Sequence, residues 1–229
     1  MKVLIIIPAY NEEANIEKVV TNLKQVCPQY DYVVVNDGSK DRTADICREN
    51  GFSMIDNPIN LGLSGSFQSG MKYALRMGYD AAIQIDGDGQ HDVAYIPQMV
   101  DLMEKEGLDI VIGSRFVSEK KPWTPRMIGS RILSAGIWMT CGKHIKDPTS
   151  GMRLYGRKML TEFATSLNYG PEPDTICYLI RCGAKVKEIQ VTMRERMGGT
   201  SYLNLSRSFW YMLSMTLSIF VIQWFRKRK

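Results

Sequence analysis

The stretch Gln84-Ile85-Asp86-Gly87-Asp88-Gly89-Gln90-His91 decides how this chain is read. Ala81, Ala82 and Ile83 lead into it, and such an uncharged approach marks the end of a buried strand. The strand gives way to two carboxylates at i and i+2. Gly87 between them lets the backbone bend enough for Asp86 and Asp88 to face one point. Oxygen ligands converging on one point suit a hard cation, Mg²⁺ or Mn²⁺. A metal held by so few protein groups keeps open positions, which substrate phosphates fill. The expectation is a metal–diphosphate site at the carboxyl end of a strand. An acidic surface turn is the alternative that the two carboxylates alone leave open. An EF-hand is excluded, because its glycine and final glutamate positions are His91 and Pro97 here.

Upstream, Val3–Ile7 is a β-branched apolar run ended by Pro8, the pattern of a fully buried parallel strand. Asn11 is placed to cap a following helix in which Ile16, Val19, Val20, Leu23 and Val26 recur at helical spacing. A second strand, Tyr32–Val35, stops at Asn36-Asp37-Gly38-Ser39, and Asp41 caps a helix reaching Asn50. Polar residues thus cluster at the carboxyl ends of successive strands, where open α/β sheets bind ligands. A short strand near Ser53–Ile55 precedes Asn60-Leu61-Gly62-Leu63-Ser64-Gly65, which opens a helix to Met77. That opening is either an ordinary turn or an anion cradle of free N–H groups. There is no G-x-G-x-x-G and no P-loop.

Downstream, Tyr95–Glu106 reads as a helix, Asp109–Ile112 as a strand, Ser118–Pro125 as a loop and Arg126–Cys141 as a long helix. A further helix ends near Cys182, and Lys185–Met193 reads as a strand. Phe209–Phe225 is uncharged. At about 1.5 Å per residue it reaches roughly 26 Å, short of a roughly 30 Å hydrocarbon core. With Arg207, Ser214 and Ser218 as a thin polar stripe, it reads as a membrane-associated helix, lying in the interface or docked on a membrane partner. A single span and a buried core helix are the alternatives. The chain is divided into a body, 1–202, and an appended apolar helix with a basic tail, 203–229.

Composition narrows the class. Arg226, Lys227, Arg228 and Lys229 supply four of the five net positive charges, so the body is nearly neutral and no nucleic-acid groove is indicated. A basic tail beside an apolar run points to anionic lipid on the cytosolic face. The five cysteines form no C-x-x-C pair and suit reduced, mostly buried thiols. Val3–Ile7 is too short for a signal-peptide core. No Ser-His-Asp order, H-E-x-x-H or zinc spacing supports a hydrolase. His91 is read as a structural neighbour of the acidic motif, and His144 as solvent-facing.

The order of motifs resembles the family 2 glycosyltransferases with the nucleotide-sugar-binding GT-A fold, an α/β fold with a mostly parallel sheet flanked by helices. The matching segments are Val3–Glu12, Asn36–Thr43, Asp86–His91, Gly113-Ser114-Arg115-Phe116, Asp147–Arg153 and Arg196–Ser201. The later segments narrow the likeness toward dolichyl-phosphate mannose synthase and bacterial polyprenyl-phosphate sugar synthases. The resemblance implies that Pro8, Tyr10 and Glu12 floor the nucleotide and that Asp37 holds its base. It implies metal contacts from Asp86, Asp88 and Gln90, and Mg²⁺ or Mn²⁺ as cofactor. Arg115 and Arg131 would meet an acceptor phosphate, and Arg196 and Ser201 would lie in a loop closing over the donor diphosphate. Asp86, Asp88, Arg115 and Arg131 form the implied catalytic set.

The implied reaction is inverting transfer from a nucleotide-sugar, UDP-GlcNAc or UDP-glucose, to a polyprenyl phosphate at the membrane, beside a small integral membrane protein in some relatives. Two other functions stay open. One is transfer to a saccharide hydroxyl, with Asp147 or Glu172 as base; the other is a non-catalytic nucleotide-sugar-binding subunit. Two departures stand out: Asn36 replaces the first aspartate of a D-D-G-S, and no lysine lies within Gly62–Gly65.

Overall fold

The computed structural model describes residues 1–165, 170–193 and 205–222, the side chains of 205–209 and 222 excepted. Its centre is β1 (Val3–Ala9), which pairs in parallel with β2 (Asp31–Asn36) on one side and β4 (Ala81–Gln84) on the other. β1 is buried on both faces because helices cover both. Val3, Ile5, Ile7 and Ala9 face α1 (Ile16–Val26) and α4 (Ile96–Glu106). Leu4 and Ile6 face α3 (Gly62–Arg76), α5 (Pro125–Cys141), α6 (Arg157–Thr165) and α7 (Pro173–Arg181).

With α2 (Thr43–Glu49), β3 (Met54–Asp56), β5 (Ile110–Ser114), β6 (Arg153–Gly156) and β7 (Val186–Gln190), the seven-stranded sheet has the order β3-β2-β1-β4-β6-β5-β7. The chain runs outward from β1 in both directions, so the carboxyl ends of β1 and β4 form a topological switch point. Among the described strands only β6 is antiparallel, pairing Gln84 with Arg153 and Ile112 with Arg153 across its two edges. Neither β6 nor α6 is expected from the sequence.

The helix signals hold unevenly. α5 starts with Pro125 at its first position, is capped by the Thr124 side chain, and stops at left-handed Gly142. Asn11 does not cap α1; the capping position is Asn15. Asn11 instead adopts φ 56° and ties two loops together, donating its N–H to Ser39 Oγ and accepting from Lys40 N. Asp41 does act at the start of α2, accepting from the Thr43 N–H at 3.0 Å.

The C-terminal helix α8 (Leu205–Leu217) continues as a π-helical turn, Ser218–Ile222. It packs on α5 where small residues admit it: Met212 lies over Gly129, and Ile219 and Phe220 over Gly136. The expected polar stripe breaks, because Ser218 is buried and bonded to Asp174 while Ser214 is exposed. Among the described residues no helix is long and apolar enough to cross a membrane. The basic tail and the 202/203 boundary lie outside the described residues.

Candidate active site

The site is built where β4 ends. The two glycines of the acidic turn have separate roles. Gly89 takes the left-handed φ of 76°. At Gly87 a Cβ would lie 3.1 Å from the Pro8 carbonyl oxygen and 3.5 Å from Glu12 Cγ, so this glycine serves close approach. The Asp86–Asp88 turn therefore sits directly against Pro8 at the end of β1 and the β1–α1 loop that carries Tyr10 and Glu12. Asp88 accepts from the Gln90 N–H at 3.0 Å, closing the turn.

His91 is the hidden support. It is buried, and its Nδ1 accepts the Asp86 N–H at 2.9 Å. Accepting at Nδ1 leaves the ring proton on Nε2, which lies 3.7 Å from Asp86 Oδ2. The Asp86 side chain remains 41% exposed. Gly151 backs it, since a Cβ there would stand 3.1 Å from Asp86 Oδ2 and 3.1 Å from His91 Cε1.

Asp86 opens into a cleft of about 350 Å³ lined also by Gln84, Arg126, Gly151, Glu172, Tyr211 and Met212. The last two come from α8, so an apolar C-terminal helix forms one wall beside the acidic turn. The Tyr211 hydroxyl donates to the Glu172 carboxylate, and Ser218 donates to Asp174 at 2.6 Å, which fastens α8 to the first turn of α7. The floor holds Arg153, a buried guanidinium that donates to the carbonyls of Pro148 and Pro171. Sequence reasoning missed Arg126, Gly151, Arg153 and Tyr211 as site residues. Gly151 and Arg153 fall within the Asp147–Arg153 segment without a role having been read for them, and Arg126 and Tyr211 lie far from it along the chain, so only the fold collects the four.

The other implied nucleotide, metal and phosphate residues among those described do not line this cleft. Asp37 is buried and accepts from the Leu61 N–H and the Asn57 side-chain amide, fixing the entry to α3. Asn36 donates to Asp56 at 2.6 Å, a bond that an aspartate there would turn into repulsion. Arg115 grips Asp147 through Nε and Nη2 at 2.7 and 2.8 Å; Nη1 takes no part in that pair. Asp147 is fully buried. Burial alone would raise its carboxyl, but the hydrogen bonds and charge of Arg115 hold it below the usual carboxylate range.

Arg131 stacks over Trp123 and donates to the carbonyls of Lys121 and Pro122, bracing the 118–125 loop outside the cleft lining. Lys121 turns inward onto Ser130 and Ser134, and burial pushes its ammonium down. Arg196 and Ser201 lie outside the described residues. No group of three metal-binding side chains occurs among the described residues.

The sheet order is that of a GT-A-type fold, and the chain belongs to the glycosyl transferase family 2, whose profile matches residues 4–163. Among its relatives is a polyprenol monophosphomannose synthase from Mycolicibacterium smegmatis, 30% identical over 89% of this chain and 81% of that one. An undecaprenyl-phosphate mannosyltransferase from Micrococcus luteus is 30% identical over 89% and 88%. A UDP-N-acetylglucosamine–dolichyl-phosphate N-acetylglucosaminyltransferase from Methanococcus voltae is 31% identical over 72% and 73%. The fold is shared with glucosyl-3-phosphoglycerate synthase from Mycobacterium tuberculosis, solved with Mn²⁺, uridine diphosphate and glucosyl-3-phosphoglycerate. That match has a TM-score of 0.69 at 20% identity, covering 95% of this chain and 79% of that one.

Proposed function

We propose that the protein transfers a sugar from a nucleotide-sugar to a polyprenyl phosphate, with inversion, at the cytosolic face of a membrane. The observation that carries this reading is the cleft itself, which runs from Asp86 to Tyr211 and Met212 of an apolar helix. A lipid acceptor needs that adjacency; a soluble sugar acceptor does not. The names of the relatives, synthases and transferases of polyprenyl, undecaprenyl and dolichyl phosphates, support it.

The residues fit a hard divalent cation. The acidic turn offers carboxylate oxygens, Asp86 is open to the cleft, and the buried Gln84 Oε1 beneath it has no hydrogen-bond partner among the described residues. Asp86, Asp88 and Gln90 would hold Mg²⁺ or Mn²⁺, which when bound neutralises charge developing on the departing diphosphate. Pro8, Tyr10, Glu12 and Asp37 would seat the nucleotide, with Arg196 and Ser201 closing over it. A phosphate monoester needs no general base, since its second pKa is about 6 and its attacking oxygen is already ionised. What it needs is cations. Arg115 offers Nη1, Arg126 lines the cleft, and Arg131 stands behind on α5, against the 118–125 loop.

The donor read from the sequence is UDP-GlcNAc or UDP-glucose, and relatives named for N-acetylglucosamine and glucose accord with it. Those named for mannose add GDP-mannose to the panel. A small integral membrane protein is the macromolecular partner in this reading. Transfer to a saccharide hydroxyl is the second reading, favoured by Glu172 at the cleft. Asp147, buried and paired, is not available as its base.

The test is purified protein with undecaprenyl phosphate, Mn²⁺ or Mg²⁺, and each radiolabelled donor in turn. A mild-acid-labile glycolipid is expected with one donor. Transfer only to a glycan, abolished by Glu172→Gln, would replace this reading with the second. Donor binding without turnover, unchanged by Asp88→Ala, would leave a binding subunit.

A further inference from the structure

We propose that Cys141 and Cys177 form a reversible modification site, a dithiol that an oxidant closes to a disulfide between α5 and α7. The two sulfurs lie 2.7 Å apart. In a disulfide they stand about 2.05 Å apart, so less than an ångström separates the present contact from a bond. Two further contacts keep them in register. Cys141 Sγ lies 3.3 Å from the Cys177 carbonyl oxygen. Thr140 Oγ1 lies 3.1 Å from Cys177 Sγ and 3.5 Å from Cys141 Sγ, and its hydroxyl is fixed on the Gly136 carbonyl at 2.8 Å. The bond would join elements that frame the cleft: α5 carries Arg126 in its first turn, and α7 begins directly after Glu172. Asp174, one turn before Cys177, is the residue that anchors Ser218.

Unequal exposure divides the chemistry between the two thiols. Cys141 is partly exposed at the end of α5, whereas Cys177 is fully buried on α7. The outer thiol meets the oxidant and the inner one resolves the product. The hydrogen bond from Cys177 lowers the Cys141 thiol more than burial raises it, and Thr140 and the charge of Arg181 add to the lowering. Cys27 and Cys47 offer the contrast: both are buried, and burial raises both thiols. With a hydroperoxide as oxidant, the Cys141 thiolate attacks one peroxide oxygen. An S–O bond forms, the O–O bond breaks, and an alcohol or water leaves. The sulfur of Cys177 then attacks the Cys141 sulfenic acid. An S–S bond forms, the S–O bond breaks, and the Cys177 proton leaves with the hydroxyl as water. Two thiols lose two electrons and one peroxide gains them. Two equivalents of a small thiol reverse the change by exchange. A reducing cytosol holds the pair open until oxidant rises, as for other dithiols of that compartment.

The inference does not rest on the sugar-transfer reading, because every readout is a thiol or a melt. The full chain is treated with equimolar hydrogen peroxide, blocked with N-ethylmaleimide and mapped by peptide mass. Loss of two of the five thiols is expected, as one linked peptide pair that holds Cys141 and Cys177 and is undone by dithiothreitol. The melting temperature is expected to rise by roughly 5–10 °C, since the bond spans 36 residues of chain. Cys177→Ser is expected to leave a Cys141 sulfenic acid that dimedone traps about fivefold or more above the native chain. Should that variant unfold, Cys182→Ser, which keeps both partners, is expected to form the linked pair as the native chain does. Cys141 oxidised to sulfinic acid with no linked peptide would overturn the inference, as would Cys141 linked to Cys182 or to a second chain. A melting temperature lowered by the cross-link would overturn it too, because the packed helices would then resist the bond.

Discussion

At Gly151 a single missing carbon keeps the acidic turn in place. A Cβ there would press on Asp86 Oδ2 and His91 Cε1 at once. Gly151→Ala is therefore expected to lower kcat/KM roughly tenfold to a hundredfold by displacing the carboxylate. The melting temperature should move by only a few degrees, about 4 °C, because the half-exposed Asp86 side chain can yield while the buried His91 ring gives a few tenths of an ångström. Kinetics and thermal melts on the same preparation check both halves. Asp147 and Arg115 make the opposite case, in which a residue implied as catalytic carries the architecture. The Asp147 carboxyl is held low in the fold, so its contribution is present above the unfolded value near about 3.9 and is lost as pH falls through the lower folded one. Arg115→Ala leaves a buried carboxylate without its partner, at a cost of about 3–5 kcal/mol. Burial then raises that carboxyl, so acid unfolding should begin at higher pH. Urea titrations at neutral and acidic pH measure both.

Among the elements, those with local punctuation were legible and those made by context were not. β1 is an unbroken apolar run, and α5 is bracketed by Pro125 and Gly142, so both are read from sequence close to their observed bounds. β6 is four residues beginning with a charged arginine, too short for any period, and its antiparallel place between β4 and β5 is set by the sheet alone. Asn11 shows the same limit: its side chain looks like a cap, yet a neighbouring loop offered it better partners than α1 did. The acidic turn and its neighbour Glu12 were visible as motifs. Tyr211 was not, because one hydroxyl in an apolar helix carries no signal until Glu172 lies opposite. A prediction at this scale concerns the α5–α7 contact, where Cys141 and Cys177 place their sulfurs 2.7 Å apart. The hydrogen bond from Cys177 lowers the Cys141 thiol to about 7. Alkylation of Cys141 by iodoacetamide should therefore rise through about pH 7. In Cys177→Ala the rise should move toward the ordinary thiol range, as peptide mass mapping would record. An unmoved profile would remove Cys177 as the cause.

For the whole molecule, the proposed site would join loops after β1, β2 and β4 with the cleft wall from α8, so occupancy should stabilise the fold as a unit. UDP with Mn²⁺ at about a hundred times its Kd should add about 2.7 kcal/mol and raise the melting temperature by roughly 5–10 °C. Replacing the metal with EDTA should remove most of that gain, and an equal gain without metal would count against the acidic turn as a cation site. The bonds from Tyr211 to Glu172 and from Ser218 to Asp174 have a mechanical meaning as well. They make α8 a lever whose short arm is the rim of the cleft. Any tilt imposed on its outer surface reaches the cleft through those two hydroxyls.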